Sequence, residues 1–327
     1  MRKFIMKTNL SFCLCLLVAL LMNISHAAQP PNQAMLLGYN SNFATLNGLK
    51  VHYLQKGEGE KIIFFHGYPF FAASWDNLLT HFSSYYHVIA PDNRGYGLTE
   101  KPLSLANYKV ENLVEDAKAL IEHIGEDQKV IIVGHDWGGL LAWALTQKYP
   151  DLIKKVVVIN APPYNVFLNM VANNKEQASA SDYMERLKSP NMEALFAQYG
   201  PEMLWRYGFD KLHKKGILND EFKAAFFSAW EQKGAFTSAI NWYRANMPVF
   251  SEINDSHYWP SKDARVTVPS LLVWGENEKV FVPAMKKEIA KYVDDLTIVE
   301  IADTGHSPFL DQKEALIAAM EDFFNEK

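Results

Sequence analysis

Short apolar runs alternate with helix-period segments over residues 43–160. Residues 43–46 and 50–55 alternate apolar with polar positions around Asn47-Gly48, which predicts a β-hairpin. The runs at 61–65 (KIIFF), 87–91, 129–133 (KVIIV) and 155–159 (KVVVI) are continuously apolar and predict strands buried on both faces. Between them, residues 112–123 put Leu113, Ala117, Leu120 and Ile121 on one helical face, and 139–149 predict a helix that stops before Pro150. From Pro162 to Pro260 the runs of Val, Ile and Leu give way to aromatic helix-period segments at 183–187, 192–199, 221–231 and 236–245. Strand and helix then alternate again: 270–274, 283–292, 296–301 and 312–324. The pattern predicts an α/β fold with a mostly parallel central sheet flanked by helices and a helical cap inserted after the sixth strand. The core would take residues 28–161 and 261–327, and the cap 162–260.

The first residues follow a different pattern. Arg2, Lys3 and Lys7 precede an apolar stretch at 10–22, and Ser25 and Ala27 supply small residues before a cleavage point. This predicts a signal peptide over 1–27 and an exported protein, periplasmic or secreted. The apolar stretch is shorter than the roughly 20 residues that span a bilayer, so no membrane association is expected once the leader is removed. Both cysteines, Cys13 and Cys15, lie in that leader, which leaves the mature chain without thiol chemistry. With 49% hydrophobic and 21% charged residues the chain is a globular protein and not a disordered one. A formal net charge of −5, which becomes more negative without the leader's cations, gives nucleic acid no electrostatic footprint.

In an open parallel sheet, ligands bind beyond the carboxyl ends of the strands. The unusual residues sit there. After the first apolar strand comes His66-Gly67-Tyr68-Pro69; after the third, Gly134-His135-Asp136-Trp137-Gly138-Gly139. Glu276 and Glu278 follow Trp274, and Gly305-His306 follows the last strand. The Gly134 to Gly139 segment resembles the nucleophile elbow of α/β-hydrolases, with Asp136 where most members carry Ser. The resemblance extends over nearly all of the chain beyond residue 43 and implies an α/β-hydrolase fold. Its order, nucleophile then acid then histidine, gives Asp136, Glu278 and His306, with Glu276 and Asp303 as rival acids. Asn160 stands where some relatives place the acid, and its lack of charge directs that role to Glu278. A carboxylate nucleophile suits displacement at a strained or activated carbon. It would form an alkyl ester, which water activated by His306 would then cleave. The resemblance implies an oxyanion hole of the Tyr68 and Trp137 backbone N–H groups, and a pocket including His66, Pro69, Trp137 and Phe167. The segment Asp92-Asn93-Arg94-Gly95-Tyr96-Gly97 matches a family loop and is expected to support the His66–Pro69 turn.

Asn241-Trp242-Tyr243-Arg244 and Asp182-Tyr183 are similar to cap segments of epoxide hydrolases, whose paired tyrosines hold the epoxide oxygen. This implies Tyr243 and Tyr183 as catalytic groups, with Tyr199 and Tyr207 in reserve. The expected reaction is epoxide hydrolysis to a vicinal diol on a small apolar substrate with water, without cofactor or metal. His66 and His135 lack the spacing of a metal cluster. The alternatives are a haloalkane or haloacid dehalogenase using the same Asp136, and a catalytically silent hydrolase-fold binding protein. A homodimer stays open.

Overall fold

A computed structural model describes residues 37–125 and 128–326. The expected leader lies outside the described residues. Eight strands form one sheet in the order β1-β2-β4-β3-β5-β6-β7-β8. They are β1 (Asn40–Leu46), β2 (Leu49–Lys56), β3 (Lys61–Phe65), β4 (His87–Pro91), β5 (Val130–His135), β6 (Ile153–Ile159), β7 (Ser270–Gly275) and β8 (Leu296–Ile301). The pairs β1–β2 and β2–β4 are antiparallel and the other neighbours are parallel. At the hairpin, Asn47 and Gly48 both take positive φ, 47° and 72°. That is the geometry a two-residue turn demands and the reason Asn-Gly marked it.

The apolar runs reflect burial on both faces. Ile63, Phe65, Ile132 and Val158 pack into one core, and their neighbours Ile62, Phe64, Val133 and Ile159 into the other. Helices cover the sheet: α1 (Asp76–Phe82), α2 (Val110–Gly125) and α3 (Trp137–Lys148) in the first half of the chain. Between β6 and β7 run α4 (Tyr164–Asn173), α5 (Lys175–Ala180), α6 (Asp182–Lys188), α7 (Met192–Tyr199) and α8 (Pro201–Gly208). They continue with α9 (Asp210–Lys214), α10 (Asp220–Trp230) and α11 (Ala235–Asn246). The last helices are α12 (Met285–Ile289), α13 (Pro308–Asp311) and α14 (Lys313–Asn325).

Several elements depart from the sequence pattern. Helix α3 begins at Trp137, two residues before the expected start, because the Asp136 carbonyl already accepts the Leu140 N–H (2.9 Å). Helix α12 stops at Ile289, short of the expected 292. There the chain leaves the helix to pair Val293 with Val266, and Tyr292 O accepts the Val266 N–H. Helices α1, α4, α5, α8, α9 and α13 were not predicted; α1 and α13 are short, and the apolar positions of the cap helices are interrupted by polar residues and by Gly200, whose φ is 62°.

The inserted helices are tied to the loops above the sheet. Trp242 Nε1 donates to Arg94 O (2.9 Å), and Trp230 Nε1 donates to Pro69 O (2.6 Å). Asn246 accepts the Val110 N–H and donates to Tyr108 O, both at 2.8 Å. These bonds set the height of α11 over the end of β5.

The tightest packing lies where α3 crosses β3. A Cβ on Gly138 would stand 2.0 Å from Phe65 O. Gly138→Ala should therefore cost about 2 kcal/mol or more, read as a lowered Tm, because backbone on both sides has no room to yield. An unchanged Tm would contradict this packing.

Candidate active site

The elbow begins with a backbone conformation that few side chains accept. Asp136 has φ 52° and ψ −122° between β5 and α3. The turn lifts its carboxylate off the sheet and leaves it at the positive end of a twelve-residue helix. A Cβ on Gly67 would lie 2.4 Å from Asp136 Oδ1, so only glycine lets the β3 loop come this near. The closeness brings the Tyr68 N–H to Oδ1 at 2.8 Å. The Trp137 N–H also acts on this carboxylate and helps hold its pKa down. Both expected oxyanion donors thus converge on one group.

On the other side stands His306. Its Nε2 is 3.5 Å from Asp136 Oδ2, and its Nδ1 is 2.6 Å from Glu278 Oε2. Glu278 is buried, and its other oxygen accepts the N–H groups of Val280 and Phe281. Glu276 and Asp303 are exposed, so of the three acids Glu278 alone reaches the imidazole. Burial opposes charge on His306, but the Glu278 and Asp136 carboxylates outweigh it and raise its pKa to about 10. Burial likewise opposes charge on Asp136; His306, His135 and the Trp137 N–H outweigh that and hold its pKa below the ordinary value. At rest the site is an imidazolium between two carboxylates.

Across from the carboxylate lie the cap tyrosines. Tyr243 is buried in α11, edge-on to Trp137 (5.2 Å between ring centres) and to Tyr68 (5.5 Å). Tyr183 in α6 meets Tyr243 at 6.3 Å between ring centres, close enough for each phenol to act on the other's pKa. Burial and the Asp136 charge push both phenol pKa values well up, so each keeps its proton. The reserves lie outside: Tyr199 and Tyr207 are 56% and 91% exposed.

The pocket residues divide. Trp137 and the half-buried Pro69 sit at the site, Pro69 through its bond from Trp230. Phe167 packs at right angles on Phe281, whose ring is 6.1 Å from His306, so it stands one ring behind the histidine. His66 does not fit the expected pocket wall. It is 1% exposed and its ring serves the loops: Nε2 accepts the Asn93 N–H (3.0 Å) and Nδ1 donates to Gly67 O (3.0 Å). Asn93 in turn donates to His66 O, while Asp92 accepts the Ala72 and Leu98 N–H groups. The 92–97 loop therefore supports the His66–Pro69 turn. Sequence reasoning gave no role to His135, whose Nε2 lies 2.7 Å from His306 O. Among the described residues no group of three His, Cys, Asp or Glu is placed to hold a metal ion.

The α/β hydrolase fold family matches residues 61–313, and the chain belongs to it. It is 34% identical to human epoxide hydrolase 4 over 253 residues, which is 75% of this chain and 67% of that protein. It is 29% identical to Caenorhabditis elegans epoxide hydrolase 2, covering 90% of this chain and 83% of that one. Among solved structures it is similar to a Bacillus megaterium epoxide hydrolase in complex with an inhibitor. The TM-score is 0.81 and the identity 28%, over 87% of this chain and all of that one.

The charge arrangement has a measurable sign. The His306 pKa rises on folding from 6.5 to about 10, so the stability it contributes is full below about pH 6.5 and lost as pH climbs through about 10. Tm should fall across that window. Glu278→Gln should flatten the fall and lower the His306 pKa by more than about 1 unit, followed by NMR titration of its ring proton. An unmoved titration would exclude Glu278 as the partner.

Proposed function

We propose that the chain hydrolyses an epoxide to a vicinal diol through an ester on Asp136. The observation that carries this reading is the pair of protonated phenols, Tyr183 and Tyr243, opposite a carboxylate already set in two N–H donors. The relatives and the solved structure reported above, named as epoxide hydrolases, support it.

Asp136 Oδ1 is held by Tyr68, which leaves Oδ2 to attack a ring carbon. The C–O bond of the epoxide breaks as the new ester bond forms. The phenols donate to the departing oxygen, and one gives it a proton. An unstrained ether would not react this way, because an alkoxide is a poor leaving group; relief of ring strain makes the alkyl ester attainable.

Ester formation removes the Asp136 charge beside His306. One of the two carboxylates that raised its pKa is gone, so the imidazolium can release its proton, which restores the phenol. The neutral ring then takes a proton from water as the hydroxide adds to the Asp136 carboxyl carbon. The tetrahedral oxyanion forms on Oδ1, already facing the N–H groups of Tyr68 and Trp137. Its collapse expels the diol oxygen, which His306 protonates, and the Asp136 carboxylic acid that remains passes its proton to His306, restoring the resting ion pair. Glu278 holds the ring throughout. The aromatic surroundings of Tyr243 suit an apolar substrate.

Three measurements test the reading. His306→Gln with styrene oxide should accumulate a covalent adduct equal in mass to the epoxide; no adduct with any terminal epoxide would defeat the reading. In a single turnover in ¹⁸O water, the diol should carry no label, because its new oxygen is Asp136 Oδ2. Label in that first diol would point to direct attack by water. Tyr243→Phe should lower kcat/KM roughly 10²-fold by removing a proton donor.

A further inference from the structure

His306 must present its ring to Asp136 from a segment without regular secondary structure. Glu278 grips the ring, but the ring can be aimed only if the backbone beneath it is fixed. Two buried side chains meet that backbone. Asn160 Nδ2 donates to His306 O and to Gly305 O, both at 2.9 Å. His135 Nε2 lies 2.7 Å from the same His306 O. A carbonyl oxygen only accepts, so His135 carries its proton on Nε2. Burial, aided by the neighbouring His306 charge, lowers the His135 pKa to about 3 and keeps that tautomer neutral.

Asn160 is fully committed. It sits just past β6 with φ 46° and is wholly buried. Its Oδ1 accepts the Gly275 N–H at 2.9 Å, while its amide hydrogens serve the two carbonyls. One side chain thus joins the ends of β6 and β7 to the histidine loop. An aspartate here would set a charge against two carbonyl oxygens and remove the donor that each receives from residue 160, which costs more than the bonds are worth.

We propose that Asn160 and His135 are positioning residues that hold His306 by its backbone carbonyl, and that this clamp closes residue 160 to the catalytic acid. The inference rests on the ester mechanism above. It makes the two chemical steps respond differently. Formation of the ester uses Asp136 and the phenols. Its hydrolysis uses His306 as a base, whose aim matters: a displacement near 1 Å can cost about 10²-fold.

The test is Asn160→Asp, with styrene oxide in rapid-quench experiments read by intact mass. Ester hydrolysis should slow roughly 10- to 100-fold while ester formation keeps its rate, so the adduct builds up during turnover. Equal slowing of both steps would overturn the proposal, since a general loss of structure acts on both. A second readout needs no substrate. The low-field NMR resonance of the His306 Nδ1 proton, shared with Glu278, should shift or vanish in Asn160→Asp. If the wild-type chain attacks no epoxide, the function reading fails and this resonance alone decides the clamp; an unmoved resonance would overturn it. Should Asn160→Asp not fold, His135→Leu carries the same measurements, with His135→Gln, which keeps a donor, expected to lose less. Recovered ester hydrolysis in Asn160→Asp/Glu278→Gln would show that residue 160 accepts the acid and would also overturn it.

Discussion

One backbone conformation organises this molecule. A non-glycine residue at φ 52° and ψ −122° is strained by about 1–3 kcal/mol and persists only where its surroundings leave no alternative. Here the surroundings are a buried parallel strand before it and a helix immediately after it. The strain is maintained because α3 packs on β3 and β5 through glycines that leave no gap to relax into. In return the turn projects a single carboxylate past the sheet edge, between the N–H groups of one loop and the histidine of another. The cost is met by the packing of the whole core, so the carboxylate needs no flexible segment to present it.

The second organising fact is electrical. Two buried carboxylates flank one imidazole, and burial alone would make that arrangement unfavourable. It holds because the remaining lone pairs are met: Asp136 by Tyr68 and Trp137, Glu278 by Val280 and Phe281. In the proposed ester mechanism the same balance separates the two chemical steps in time. While Asp136 is free, its charge keeps His306 protonated and unable to act as a base. Once Asp136 is esterified, that restraint is gone. The sequence of events follows from the charges, without a conformational signal.

Much of this was readable in the chain, and the reason is locality. The Gly-His-Asp-Trp-Gly-Gly segment states its own steric requirement, and the four apolar runs, each behind a leading Lys or His, state their burial. The identity of the acid was not local. Glu276 and Glu278 are two residues apart, and only the turn after β7, with the Glu278 N–H bonded to Gly275 O, decides which one faces inward. His66 looked like a pocket residue because it begins the oxyanion turn; its ring instead faces the 92–97 loop. Asn160 was noticed for a charge it lacks, whereas its contribution comes from two donors and an acceptor matched to groups more than a hundred residues away. A polar residue ending a buried strand was the available signal, but its partners are set by topology.

The leaving group is where geometry separates the two Asp-nucleophile chemistries. A departing halide is already a stable anion and asks only for donors. An opening epoxide becomes an alkoxide and asks for a proton. Tyr183 and Tyr243 can satisfy the second demand because each is a phenol whose proton is retained at rest. In the proposed reaction one phenol gives its proton while the other still donates a hydrogen bond to the opening oxygen. The edge-on packing of Tyr243 against Trp137 and Tyr68 holds its ring in place. A pair of phenols is more than halide binding calls for, and it is what ring opening requires.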